Sequence, residues 1–475
     1  GYLALYSNTT NNNSAFGYKA LFANTTGNAN TAVGKNSLSG NTIGANNTAV
    51  GYRSLQNNTI GYNNSAFGYK SLFANTTGTY NTAIGFGTLQ TNTTGSYNTA
   101  VGRTALYSNT IGTNNSAFGF YALSSNTTGN SNVAVGLYAL SNNTIGANNV
   151  ALGTQALLSN TTGSKNIAVG RDALRNNTIG DRNCAFGYAS LYNNTTGGVN
   201  SSFGYKALFA NTIGLQNVAV GRSALEGNTT GSNNVAVGPN CMQLNTIGAN
   251  NTAIGYLSLF TNTTGNKNTA VGGNSLYSNT IGSKNAAFGY GALYYNTTGV
   301  NNSAFGYKAL HINTIGTSNS AFGIYALLVN TTGYNNTAVG RSSLQANTIG
   351  YNNVAVGHSS LRFNTIGSQN NAFGYYALRD NTTSGNNAFG YKALLQNTTG
   401  RGNNAFGLLA LSVNTTASQN SAFGHQALRY NSAGQAQSAF GFYALRNNTI
   451  GTNNTAIGYD SLYTNTVGNY NTAVG

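Results

Sequence analysis

Few side chains in this sequence could do chemistry in the usual sense. The acids are Asp172, Asp181, Glu226, Asp380 and Asp460, the histidines His311, His358 and His425, and the cysteines Cys184 and Cys241. Glycoside hydrolysis needs two carboxylates flanking one bond, whereas these acids are scattered. Asp172 and Asp460, which share a place in the repeat described below, lie 17 repeats apart. A nucleophile needs a base within hydrogen-bond reach, and a zinc site needs clustered ligands. No spacing around the histidines or cysteines supplies either, and the Asp-bearing Gly-rich nonapeptide of calcium-binding β-rolls is absent. The sequence therefore predicts no catalytic residue, no metal ligand and no cofactor.

What the chain has in abundance is amide, hydroxyl and aromatic side chains. Asn recurs in two columns, one beginning Asn8, Asn24, Asn41, Asn58 and the other Asn13, Asn30, Asn47, Asn64. Stacked amides can pass hydrogen bonds from one repeat to the next; the alternative is that Asn serves only as a turn former. The second column departs only at Gln437, which keeps the amide, and this favours a ladder. A Thr column (Thr9, Thr25, Thr42) reads as a structural ladder, with an ice-binding face as the less favoured reading. Asn24 and Asn63 each begin an N-x-S/T sequon and are candidate glycosylation sites, although an Asn in an inward ladder could not carry a glycan. Lys and Arg stand mainly just after the repeat Gly (Lys19, Lys35, Arg53, Lys70, Arg103). They could form a sparse basic edge for glycans or acidic surfaces, or serve only solubility. They form no concentrated stripe or motif of the kind nucleic-acid binding requires, so no nucleic-acid partner is expected.

The elements that must position these columns follow from the period. Gly recurs from Gly1 to Gly475 every 17 residues, with shortened units of 16 at 1–17 and 374–390, so that the chain holds 28 units. The consensus is G-Y-x-A-L-x-x-N-T-T/I-G-x-x-N-S/T-A-V/F. Only 5% of residues are charged, with 21 Lys+Arg against 5 Asp+Glu, and no composition shift marks a boundary, so 1–475 reads as one uninterrupted array and a segment of a longer chain. About eight residues separate Gly and Asn breakers, too few for helices, and the doubled period of 34 lacks the helical periodicity of a tetratricopeptide repeat.

A 17-residue period fits an all-β, parallel β-solenoid in which each unit makes one coil stacked at ~4.8 Å on the next, a rod on the order of 130 Å long. Each coil reads as two short strands, Asn13 to Tyr18 and Ala20 to Thr25. Period-2 alternation separates Phe16, Val33, Val50 and Phe67 from Ala15 and Gly17. The large residues, with Leu21, Leu38, Leu55 and Leu72, are assigned to the interior, leaving a flat Ala/Gly face for a second chain. Cys184 and Cys241 then lie more than three coils apart, about 16 Å, beyond disulfide reach.

The segments N-T-A-V-G (Asn47 to Gly51), N-S-A-F-G (Asn64 to Gly68) and N-V-A-V-G (Asn132 to Gly136) resemble the head repeats of trimeric autotransporter adhesins of the YadA type. The resemblance implies a left-handed β-roll, trimeric or other self-association, and an extracellular or cell-surface rod used for attachment or as a fibre shaft. The leading expectation is a structural shaft of an extracellular filament or of a cell-surface or virus-type fibre, stacking end to end or laterally with itself. An adhesin binding module for glycans or host and matrix surfaces is the alternative. No segment reads as membrane-spanning.

Overall fold

The computed structural model describes residues 1–475 and is all-β. Each 17-residue unit makes one coil of a parallel β-solenoid and contributes one three-residue strand, from β1 (Ser14–Phe16), β2 (Thr31–Val33) and β3 (Thr48–Val50) to β28 (Thr472–Val474). Two compact units divide the chain: Gly1–Asn234, ending on β13 (Val218–Val220), and Val235–Gly475, beginning with β14 (Val235–Val237). Within each unit successive strands pair in parallel with like residues over like, Ala32 beside Ala49 in the first and Ala253 beside Ala270 in the second. Where one residue is missing, Asn371, Ala372 and Phe373 still align with Asn387, Ala388 and Phe389. The deletion is absorbed in the loop, where no strand register depends on it. No helix is long and apolar enough to cross a membrane.

The expected second strand, Ala20 to Thr25, is a run of turns instead, and the first shrinks to Ser14–Phe16. Lys19 and Leu21 have φ of 54° and 52°, outside the range of a strand, and the same alternation recurs at Asn36 and Leu38. Ala20 N–H bonds to Gly17 O and Asn24 N–H to Leu21 O, closing consecutive tight turns. The backbone remains satisfied because the other groups bond along the stack: Lys19 N–H to Tyr2 O in the coil before, Leu21 N–H to Ser37 O and Ala23 N–H to Ser39 O in the coil after.

The period-2 alternation is present in the strand, but its phase is the reverse of that expected. Leu21, Leu38, Leu55 and Leu72 are fully buried, as assigned. Phe16, Val33 and Phe67 instead point outward, 75%, 38% and 39% exposed, with Val50 half-buried, while Ala32, Ala49 and Ala66 are fully buried. The reason is steric. The interior already holds a buried Leu and two buried Asn side chains per coil, so the strand's inward position has room only for a small side chain, Ala throughout except for Ser202, whose hydroxyl donates to Ala207 O. The Ala column is therefore core, not a flat face for a second chain. The column three residues after the repeat Gly is buried as well, and its hydroxyls are satisfied internally: Ser37 Oγ donates to Gly34 O at 3.0 Å and Ser54 Oγ to Ala66 O at 2.9 Å.

Candidate functional site

A core with one Leu and two small residues per coil buries little apolar surface, so the polar columns must contribute order of their own. Asn24, Asn41, Asn58, Asn30, Asn47 and Asn64 are fully buried, with Asn8 and Asn13 half-buried in the first coil. In the first column each side-chain amide donates to the amide oxygen of the coil before: Asn24 Nδ2 to Asn8 Oδ1 at 2.6 Å, Asn41 to Asn24 and Asn58 to Asn41 at 2.7 Å. The second hydrogen of each Nδ2 closes its own turn on a Gly carbonyl, as from Asn24 to Gly27 O at 2.9 Å.

The second column bonds differently. Asn30 N–H donates to Asn13 Oδ1 at 2.9 Å and Asn47 N–H to Asn30 Oδ1 at 3.0 Å, so here a side-chain oxygen caps the next coil's backbone. Its Nδ2 reaches forward to the Gly carbonyl of the following coil, Asn30 to Gly44 O at 2.8 Å and Asn47 to Gly61 O at 2.9 Å. Gly44 O thus accepts from both Asn30 and Asn41, and the Gly carbonyl is the node joining the two ladders. Sequence reasoning did not assign that role, although a Gly three residues after the first Asn in most units was its signal. In the second unit the same bonds recur, Asn330 Nδ2 to Asn313 Oδ1 at 2.8 Å and Asn336 N–H to Asn319 Oδ1 at 3.1 Å. Gln437 keeps the pattern: its N–H bonds to Asn420 Oδ1, its Nε2 to Gly451 O, and its Oε1 accepts from Asn454 N–H.

The Thr column is also a ladder, but to backbone. Thr25 Oγ1 donates to Thr42 O and Thr42 Oγ1 to Thr59 O, each at 3.0 Å, so the hydroxyl hydrogens are spent on the neighbouring coil and are not offered to ice. Asn24 is closed to glycosylation by burial and by its two donated bonds. Asn63 lies half-buried on the loop with φ of 55°.

The basic edge exists, and its cations lie over rings. Tyr52, Tyr69 and Phe86 stack along the coils with centroids 5.5 Å and 4.8 Å apart. Lys70 Nζ lies 5.4 Å from the Tyr69 centroid, and the Arg103 guanidinium lies 5.8 Å from Phe86 and 5.5 Å from Phe120. Ring faces occupied by one another are closed to stacking by a flat ligand, and the cations beside them suit anionic groups. Two shallow grooves open here, one lined by Phe86, Arg103, Tyr107 and Tyr121, the other by Arg171, Arg175, Tyr188, Tyr192, Lys206 and Phe209. Asp172 is held by Arg171 at 3.3 Å and Arg175 at 3.5 Å, and Asp380 by Arg379 at 2.7 Å.

The structure brings no acid, His or Cys constellation together, and no three such groups are placed to hold a metal ion. Burial lowers the His311 pKa, and its Nδ1 lies 2.7 Å from Gly291 O. Both cysteines are free thiols. Cys241 is fully buried, its Sγ–H donates to Ala253 O at 3.1 Å, and desolvation pushes its pKa up to about 12. Cys184 opens β11 (Cys184–Phe186) on the outer face, half-buried, its pKa raised by burial to a lesser degree. In the dilute folded chain iodoacetamide is expected to alkylate Cys184 alone, with Cys241 reacting only in denaturant. Mass spectrometry showing equal rates at the two sites would contradict this placement. No protein-family model matches the chain, and no curated protein matches it.

Proposed function

We propose that this chain is a non-catalytic structural segment, the shaft of an extracellular filament or of a cell-surface or virus-type fibre. The observation that carries the reading is the pair of buried Asn ladders. Each coil ties its buried Asn side chains to the coils before and after it. Such an arrangement resists axial separation, because parting two coils breaks side-chain and backbone bonds together. The similarity of N-S-A-F-G and N-T-A-V-G to YadA-type head repeats supports a place outside the cell and a role in attachment or support.

One observation favours a second reading, an adhesin-type module for acidic glycans. From Gly1 to Arg171 the chain has no acid, and Lys19, Arg53, Lys70 and Arg103 share one aromatic edge. Immunogold labelling of cells that express the protein separates the two. Antibody against the chain is expected along the length of extracellular filaments, and label confined to the cytoplasm would overturn the shaft. Salt-sensitive retention of the isolated chain on an immobilised acidic polysaccharide, with no filament label, would favour the adhesin.

A further inference from the structure

Each strand turns its first and third residues outward, giving within each unit two parallel columns on one sheet face. One column begins Thr31, Thr48, Ser65 and the other Val33, Val50, Phe67. In all 28 strands neither outward position carries Asp, Glu, Lys, Arg or His. Parallel sheets are ordinarily covered on both faces. Here the inner face is covered by the coil's own Leu and Asn, while the outer face is open. Phe118 and Phe203 are 40% and 39% exposed in the first unit, and Phe322 and Phe440 are each 40% exposed in the second. In the second unit Phe373, Phe389, Phe406, Phe423 and Phe440 stack ring on ring at 4.5–5.0 Å. Beside them Asn371 donates to Asn387 and Asn387 to Asn404.

We propose that this face docks a second copy of the chain, sheet against sheet. Three observations select that occupant. The first is area. A Phe with two-fifths of about 200 Å² open leaves about 80 Å² and the smaller side chains less, so the five Phe, six Val, Ile84 and Leu152 of this column in the first unit together leave on the order of 800 Å². Two such faces in contact bury about 1,600 Å², the size of a stable interface, and either face exceeds the apolar patch usual for a monomer. The second is charge. The protein carries +16 overall, so two copies repel unless they meet where no charge stands, and this face is such a place. The third is period. Side chains repeating at the strand spacing interdigitate along their whole length only with a partner of the same spacing, and another copy has it.

The docking deepens the shaft reading, but its test does not depend on that reading. Sedimentation velocity of the isolated chain at micromolar concentration is expected to show a dimer or larger species that tightens as salt rises, because salt screens the net charge and no ion pair holds the face. Cys184, on this face, should lose at least tenfold in alkylation rate between dilute and concentrated solution. The variant F186K/F203K/F389K/F406K, changed only at outward positions, should remain monomeric and keep Cys184 reactive. N114K/N148K/N301K/N335K serves as control and should associate like the parent. It adds the same charge in a loop column where Lys165, Lys267 and Lys284 already stand. Circular dichroism verifies that both variants fold. Should the four-Phe variant unfold, the parent's Cys184 protection and salt response decide alone. A parent chain that is monomeric throughout, that floats with phosphatidylglycerol vesicles in place of pairing, or that pairs equally well in the folded Phe variant overturns the proposal. A monomeric parent leaves the immunogold result for the shaft untouched, and cytoplasmic label leaves the docking untouched.

Discussion

Asn143→Asp is expected to destabilise the coils around it by about 3–5 kcal/mol at neutral pH, while Asn142→Asp next to it is nearly silent. Asn143 is fully buried, its Nδ2 donating to Asn126 Oδ1 and to Gly146 O at 2.9 Å each, its Oδ1 accepting from Asn160 Nδ2 at 2.8 Å. The substitution keeps the shape and removes both N–H donors, so a carboxylate oxygen faces two acceptors with no water between them. Asn142 is exposed, and an acid there stays solvated.

The pH dependence follows from the same contacts. The folded coil favours the neutral acid, so the pKa of the introduced carboxyl is raised above its unfolded value of about 3.9. The penalty is therefore full well above the folded pKa and shrinks as pH falls through it toward the unfolded one. Recovery stays incomplete, since a protonated acid returns one donor where two were lost. Urea unfolding followed by circular dichroism measures the loss, and amide exchange locates it, because repeat arrays open locally. A variant matching the parent midpoint at neutral pH would remove the ladder from the account of stability.

Gly153→Ala is expected to be nearly as damaging, by about 3 kcal/mol or more. Gly153 has φ of 136°, and its N–H is fixed to Val135 O at 2.8 Å. A Cβ there would lie 2.6 Å from Gly170 O and 2.7 Å from Gly170 C, backbone atoms of the next coil that cannot swing aside. Backbone strain and clash therefore add. Gly87→Ala is the informative comparison. Its φ of 62° is shared by Lys19 and Arg53 in the same column, and the nearest atom to an added Cβ is Gln90 Oε1 at 3.3 Å, the movable end of a side chain. That variant should lose no more than about 1 kcal/mol. Equal urea midpoints for the two would mean that the coils separate readily enough to admit a methyl group between them.

The sequence by itself determined the coil, its period and the rank of its polar columns. One unit per turn places like residues over like, so a column that never varies is one whose neighbours above and below depend on it. The Asn columns and their exchange for Gln437 could both be read that way. The Leu column was legible as interior for the same reason.

Only the tertiary structure decided which way the strand faces and how the rest of the coil closes. Ala15 and Phe16 alternate in either phase, and hydrophobicity alone sends the larger residue inward. The choice depends on how much room Leu21, Asn24 and Asn30 leave across the coil, a volume that no local pattern encodes. The segment from Ala20 to Thr25 reads as a strand because Leu rarely adopts positive φ. It does so at Leu21 and Leu38 because the stacked coils hold it there through Leu21 N–H to Ser37 O and Leu38 N–H to Ser54 O. Conformations imposed by contacts between coils, against the preference of the residue that adopts them, are set by the assembled stack.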